Sequence, residues 1–317
     1  MTNVVARDLG YKNIVNISYS QSGSDEQTIA QQVALKLGNP LYCRSLDDAT
    51  FLYDLEDTVY DEFGVAHYDG ITGGRQFLQL IGFEKFGLEH TGQIGDVVLS
   101  QFYSRTSNSF DINSKRDSDL LLQRFPLGAN EFSSNEEYAF YTRAFQGALS
   151  THYIRANYTY AVSPFLDPGL ISFCASLPDS IRANHRLYWN WIDQKYQVFG
   201  GIPSSRLRHY PGMGLQRFLY FVATKLKVKT PKRIHALLRS FCVTKISTTP
   251  NNMNPFQYWY DTNEELKTFI DDYYLHNKHF VESHKLICSE VRKMYRSSNV
   301  FDKIMAISLL GTIKIYT

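Results

Sequence analysis

Residues 90–96 read His-Thr-Gly-Gln-Ile-Gly-Asp, which places two glycines and a carboxylate in one short turn. Glycine lacks a Cβ, so backbone N–H groups near Gly92 and Gly95 can approach an anion closely. A carboxylate at Asp96 can then hold a divalent cation against phosphate oxygens. The same aspartate can instead cap the N-terminus of a following helix, a common use of the residue. A second segment, Ser163-Pro164-Phe165-Leu166-Asp167, reads as a packed turn whose aspartate caps the next helix.

The elements around these residues place the first turn. Residues 13–19 read as a buried strand and 20–25 as a polar turn. Residues 26–37 carry Ile29, Ala30, Val33, Ala34 and Leu37 at helical spacing, with Gly38 as a stop. Leu41-Tyr42-Cys43 is a second short strand, residues 47–63 and 74–83 are helices, and Phe86 to His90 form a third strand. Strand, helix, strand, helices, strand is the pattern of an α/β fold with a parallel sheet. Ligands of such sheets lie beyond the carboxyl ends of the strands, so the turns 20–25 and 91–96 both fall at that edge. Residues 106–135 are polar and read as loop. From 136 onward helical spacing dominates, at 137–156, 168–176, 185–199, 213–227, 262–275 and 278–296, with 247–256 as a loop between helical groups.

A chain of 317 residues with 44% hydrophobic content can bury a substantial core. A net charge of +2 singles out no partner. That mean conceals an asymmetry. No Asp or Glu occurs between Asp193 and Asp261, a stretch that holds 11 bases from Lys195 to Lys245. Such a stretch suits an anionic partner or a membrane surface at residues 194–260, and it also suits a face that offsets the acids of residues 1–193. Residues 213–227 fit a helix docked on the core as well as one lying on a membrane. Nucleic acid is not the expected partner.

The four cysteines fit no metal spacing and imply no disulfide framework, which points to a cytoplasmic setting. Cys43 and Cys174 lie in apolar runs and read as buried thiols. No apolar run is long enough to span a bilayer, so no integral membrane segment is expected. His276, His279 and His284 lack the acid or cysteine that would complete a metal site and read as solvated.

Four segments in order resemble the synthetase domain of glutamine-hydrolysing asparagine synthetase and its relatives in surface-polysaccharide gene clusters. The first is Ile17-Ser18-Tyr19-Ser20-Gln21-Ser22-Gly23-Ser24-Asp25, running into a helix that ends at Leu37-Gly38. The second, Thr91-Gly92-Gln93-Ile94-Gly95-Asp96-Val97, is the counterpart of a Ser-Gly-Glu-Gly-x-Asp-Glu phosphate loop. The third, Val162-Ser163-Pro164-Phe165-Leu166-Asp167, matches an Arg-x-Pro-Phe-Leu-Asp box and is followed by Leu177-Pro178. The fourth is Arg186 ahead of Tyr188, Trp189 and Trp191.

The resemblance covers about residues 9–205. It implies an incomplete parallel sheet of the adenine-nucleotide α-hydrolase (PP-loop) type with a mostly helical C-terminal half. The implied domains are a synthetase-like domain at 1–205 and a basic helical extension at 206–317. The implied activity is ATP-dependent, AMP-forming amide transfer to a carboxylate, with ATP and Mg²⁺ as cofactors. Asp96 and Arg186 would be catalytic, with Asp96 holding the metal. Ser20, Thr91, Gly92, Gln93, Gly95 and Asp96 would bind the nucleotide. Arg186 can contact phosphate or pair with a carboxylate on its helix.

Departures from the pattern are specific. The family's first strand and its Ser-Gly-Gly-x-Asp-Ser phosphate loop belong just before Leu9, where this sequence has no room for them. Gln93 and Val97 replace two glutamates, Val162 replaces an arginine, and Arg186 stands where a lysine is expected. Arginine does not readily lose its proton. These departures predict weak nucleotide binding and impaired adenylation.

Overall fold

A computed structural model of the chain describes residues 2–64, 72–99, 136–137, 140–145, 148–182, 186–196, 202 and 251–317. The expected helix at 213–227, the expected loop at 106–135, Cys242 and every base of the basic stretch except Lys195 lie outside these residues. In chain order the elements used below are α1 (Thr2–Asp8), β1 (Asn16–Ser20), α2 (Asp25–Leu37), β2 (Leu41–Ser45), α3 (Leu55–Asp61), α4 (Thr72–Ile81), β3 (Glu89–His90) and α5 (Gly95–Val98). They continue with α6 (Thr151–Ala156), β4 (Ala161–Val162), α7 (Pro168–Ser176), α8 (Arg186–Lys195), α9 (Phe256–Thr262), α10 (Glu264–Asn277), α11 (Lys285–Tyr295) and α12 (Val300–Tyr316). The chain divides into two units, Met1–Asp48 with His185–Tyr258 and Ala49–Asn184 with Trp259–Thr317.

In the first unit β1 and β2 run parallel, with Asn16 opposite Leu41 and Ser20 opposite Ser45. Parallel strands need a crossover, and α2 supplies it. Its limits follow from local chemistry. Ser24 is extended and its hydroxyl accepts a hydrogen bond from the Gln27 N–H, while Asp25 and Glu26 complement the positive end of the helix. Gly38 closes it at φ 65°, a conformation that costs glycine little. Arg7 of α1 donates to the Leu37 carbonyl at 2.8 Å and to Asn39 Oδ1 at 2.6 Å, placing a cation at the negative end of α2. Tyr196 donates to Asp8 Oδ2 at 2.8 Å and ties the end of α8 to α1. The expectation of a buried Cys43 is overturned: Tyr42 and Cys43 point to opposite sides of β2 and both are exposed, so the strand is open on each side at this point. Cys174 is buried as expected.

The second unit is built on α12. Val300, Ile304, Ala306, Ile307, Ser308, Leu310 and Gly311 are all buried, so most of its circumference is covered. Such a helix lacks the polar stripe by which amphipathic helices announce themselves. It packs against α3, α10 and α11. The fully buried Trp259, Phe51, Leu266 and Ile270 belong to the same core. Phe51 and Trp259 meet edge to face with ring centroids 5.6 Å apart, a favourable aromatic geometry. Glu56 on α3 accepts from Tyr273 at 3.0 Å and from Lys314 at 2.5 Å, linking three helices through one carboxylate. Arg75 of α4 faces Asp54, Asp57 and Asp61, with its Nε donating to Asp61 at 2.9 Å.

Among the described residues the strands expected at 13–19, 41–43 and 86–90 do not pair into a single sheet. The described strands make two parallel pairs, β1 with β2 and β3 with β4. A 3-10 turn at Phe83–Lys85 precedes the expected strand, and of residues 86–90 only Glu89–His90 pair with a neighbour. Their partner, Ala161–Val162, is too short to show any alternation in the sequence. The coarse α/β expectation, parallel strand pairs within a mostly helical chain, stands. Among the helices, the 168–176 expectation matches α7 residue for residue, and α12 had no counterpart among the expected helices.

Gly311 records how closely α12 approaches α3. A Cβ there would lie 2.6 Å from Leu55 Cδ2 and 3.1 Å from the Tyr273 hydroxyl oxygen. Alanine gains about 1 kcal/mol over glycine in a helix interior. Overpacking a closed core costs about 1–3 kcal/mol, so the clash outweighs the gain. Gly311→Ala is therefore expected to lower the urea midpoint with an unchanged slope. An equal or higher midpoint would show that the contact relaxes freely.

Candidate functional site

The turn at 91–96 leaves β3 and enters α5, and it is anchored by its neighbour strand. The Thr91 N–H donates to the Val162 carbonyl at 2.8 Å, which extends the β3–β4 ladder by one bond. One residue on, the Ser163 hydroxyl donates to the Gln93 carbonyl at 2.7 Å and accepts from the Phe165 N–H at 3.3 Å. Gly95 sits under the Phe165 ring, where a Cβ would come within 2.7 Å of the ring carbons. The turn and the Ser-Pro-Phe-Leu-Asp segment are thus one assembly. Gly95 is required by this packing; at Gly92 an added Cβ would meet nothing within 4 Å.

Ile94 connects the two glycines in the left-handed region, at φ 58° and ψ 0°. A β-branched residue pays a steric penalty there, on the order of 1–3 kcal/mol. In the Ser-Gly-Glu-Gly-x-Asp-Glu pattern this position is glycine, which adopts that conformation without strain. The Ile94 side chain is buried, and that burial offsets the strain. Asp96 is half-buried and its Oδ1 accepts from the Val97 N–H at 3.1 Å. It does not cap α5: the cap residue is Ile94, with no side-chain hydrogen bond. Asp167 does cap, accepting from the Leu170 N–H at 2.7 Å at the start of α7.

Residues absent from the sequence-based site complete its floor. Thr91 Oγ1 and His152 Nε2 are 2.8 Å apart, and Gln93 Nε2 donates to Thr151 Oγ1 at 3.1 Å. Arg155 pairs with Glu89 of β3. Burial, with Arg155 as a second cause, holds the His152 pKa below its ordinary value of 6.5. Burial raises the Glu89 carboxyl above 4.5 against the pull of Arg155, and Glu89 Oε2 is buried without a hydrogen-bond partner. Thr151, His152 and Arg155 share one face of α6, and nothing in the sequence marked them, since each is an ordinary polar residue until β3 lies beside it.

The remaining expected residues belong to the first unit. Ser20 is buried, and its hydroxyl accepts from Ser24 Oγ at 3.2 Å. The turn that follows has its backbone donors engaged. The Gln21 N–H reaches the Met253 carbonyl, Ser22 reaches Asp47, Gly23 reaches Gln27 Oε1, Ser24 reaches the Gln21 carbonyl and Asp25 reaches the Asn251 carbonyl. Asp47 also accepts from Gln21 Nε2 at 2.5 Å. Burial would raise its carboxyl, but hydrogen bonds from Ser22, Ser45 and Gln21 outweigh that and hold it below 3.8. An internal carboxylate thus occupies the seat that a phosphate would need. Arg186 opens α8 and is exposed.

Among the described residues, the two glycine-bearing turns do not fit a tightly held Mg-ATP, because most of their backbone donors are already engaged. Within 91–97 the N–H groups of Thr91, Gln93, Gly95 and Val97 already have protein acceptors. Among the described residues no group of three His, Cys, Asp or Glu side chains is placed to hold a metal ion. His276, His279 and His284 are exposed, as expected of solvated histidines. No helix among the described residues is long and apolar enough to cross a membrane.

A histidine held neutral in the fold gives a signed pH dependence. Above about pH 6.5 both folded and unfolded states carry it neutral, and its contribution is complete. As pH falls below 6.5 the unfolded chain takes up a proton that the fold resists, so stability is lost. Between about pH 8 and pH 5.5 the native protein is expected to lose more unfolding free energy than His152→Gln, which keeps a hydrogen-bonding group for Thr91. Equal losses would show that His152 titrates freely. Comparison with protein families gives no match to this chain, and comparison with curated proteins gives none either.

Proposed function

We propose that the chain is an asparagine-synthase-like protein that keeps the frame of an ATP-dependent, AMP-forming amide ligase, in surface-polysaccharide synthesis, while serving adenylation poorly. The observation that carries this reading is the meeting of its two motif segments. Residues 91–96 and 163–167 are far apart in sequence, yet Ser163 bonds Gln93 and Phe165 covers Gly95. The left-handed Ile94, at a position where the pattern has glycine, supports the same ancestry.

The impairment follows from what the side chains do. Adenylation relies on fixed donors aimed at the charge that develops on the migrating phosphate, and losing one such donor costs about 10²–10³ in rate. Gln93 brings no charge and spends its amide on Thr151. The turn at 20–25 spends its donors on Asp47, Gln27 and backbone carbonyls. That engagement also favours a second reading, a non-catalytic descendant that binds an anionic partner or membrane surface through residues 194–260.

Calorimetry with Mg-ATP and a pyrophosphate-release assay with ATP, aspartate and ammonia test the proposal. Little or no heat and no release above background are expected. Micromolar or tighter ATP binding, or release that disappears in Asp96→Asn, would return the chain to the active ligases.

A further inference from the structure

Away from the turn, the helical part of the second unit contains a groove of about 330 Å³ between the C-terminal ends of α10 and α11. That volume lies at the lower end of small-molecule sites. Its walls carry Lys278, Arg292 and Arg296, with Glu282 as the one acid. Lys278, Arg292 and Arg296 are exposed, and none makes an ion pair among the described residues. Three cations against one acid leave the groove near +2.

The fold fixes this arrangement. Arg292 and Arg296 are four residues apart, so both project from one face at the end of α11. Lys278 follows α10 directly. A base at the C-terminus of a helix complements its dipole, which accounts for each cation separately. It does not account for the convergence of three on one groove. Tyr274 and Tyr295 stack in the wall with centroids 3.6 Å apart and planes within 4°. Tyr295 is further held by its hydroxyl, which donates to Asp271 at 2.6 Å. Lys303 lies 4.6 Å from the Tyr295 ring centroid. The wall is therefore rigid before any ligand arrives, which lowers the cost of binding.

We propose that this groove binds a small organic phosphate monoester. Two guanidinium forks and an ammonium match the geometry and the double negative charge of a phosphate better than a single carboxylate. The partly exposed Cys288 and Tyr295 give the groove a less polar wall for the body of the ligand, with Tyr274 and Val281 buried behind it.

Calorimetry on the full chain with glucose 6-phosphate, inorganic phosphate and glucose tests this. Glucose 6-phosphate is expected to bind saturably and more tightly than inorganic phosphate, and glucose not at all. Arg292→Ala with Arg296→Ala is expected to weaken glucose 6-phosphate binding by about tenfold or more, because charge-assisted hydrogen bonds are lost. Both side chains are exposed, so the double variant should keep the native melting temperature, and Lys278→Ala provides a second, independent reduction. Absence of saturable binding, undiminished affinity in both variants, or equal affinity for phosphate and its ester would overturn the proposal.

Discussion

A parallel ladder of two residues per strand cannot hold itself together. β3 and β4 pair only through Glu89 with Ala161 and His90 with Val162. Short strands need side-chain support or a packed face to persist. Here the support is specific. Arg155 grips Glu89 at the start of the ladder, and Ser163 grips the Gln93 carbonyl beyond its end. Phe165 closes over Gly95, so the turn cannot drift away from the Ser-Pro-Phe-Leu-Asp segment. The geometry of the candidate site, including the Thr91–His152 contact and the position of Asp96, rests on this small ladder and its clamps.

Both glycine-bearing turns have the composition of anion sites, and the accounting of donors distinguishes composition from capacity. A backbone N–H is an obligatory donor and must find an acceptor when the fold closes. In the turn at 20–25 the acceptors are internal, and Asp47 supplies the negative charge. In the turn at 91–96, Thr91, Gly95 and Val97 are likewise engaged within the protein. A glycine-bearing turn can therefore have the composition of an anion site while its donors serve the fold. Ile94 fits that view, since its left-handed backbone retains a glycine-like path while its side chain is buried.

What the sequence made legible was mostly local. Gly38 marks the end of α2 because a helix stop is a matter of one residue's backbone angle, while Ser24, read only as part of a polar turn, proves to be the cap at its start. Asp167 announces α7 because capping is a matter of one side chain. The pairing of β3 with β4 was illegible, because two extended residues carry no period and their partnership is decided by contacts distant in the chain. The helix α12 is hard to read from sequence because its central run, Ile304–Leu310, is almost wholly apolar and its few charges lie near the ends, which leaves little of the contrast that marks a surface helix. Cys43 is exposed because a short apolar run does not decide whether either side of its strand is covered. Within the site, the glycines and Asp96 stood out by type. The α6 cluster of Thr151, His152 and Arg155 did not, since ordinary polar residues gain meaning only when β3 is laid beside them.

The proposed ligase ancestry requires that the amide donors of the two turns serve the fold and not a nucleotide. Amide ¹H–¹⁵N shifts of Gln21–Asp25 and Thr91–Val97, followed through a Mg-ATP titration, test it most directly. The N–H groups of Gln21, Ser22, Gly23, Ser24 and Asp25 and of Thr91, Gln93, Gly95 and Val97 have protein acceptors, so their shifts should stay in place while the protein remains folded. Saturable movement of both groups of amides at micromolar nucleotide would show that the turns are free to receive phosphate, and would contradict the account.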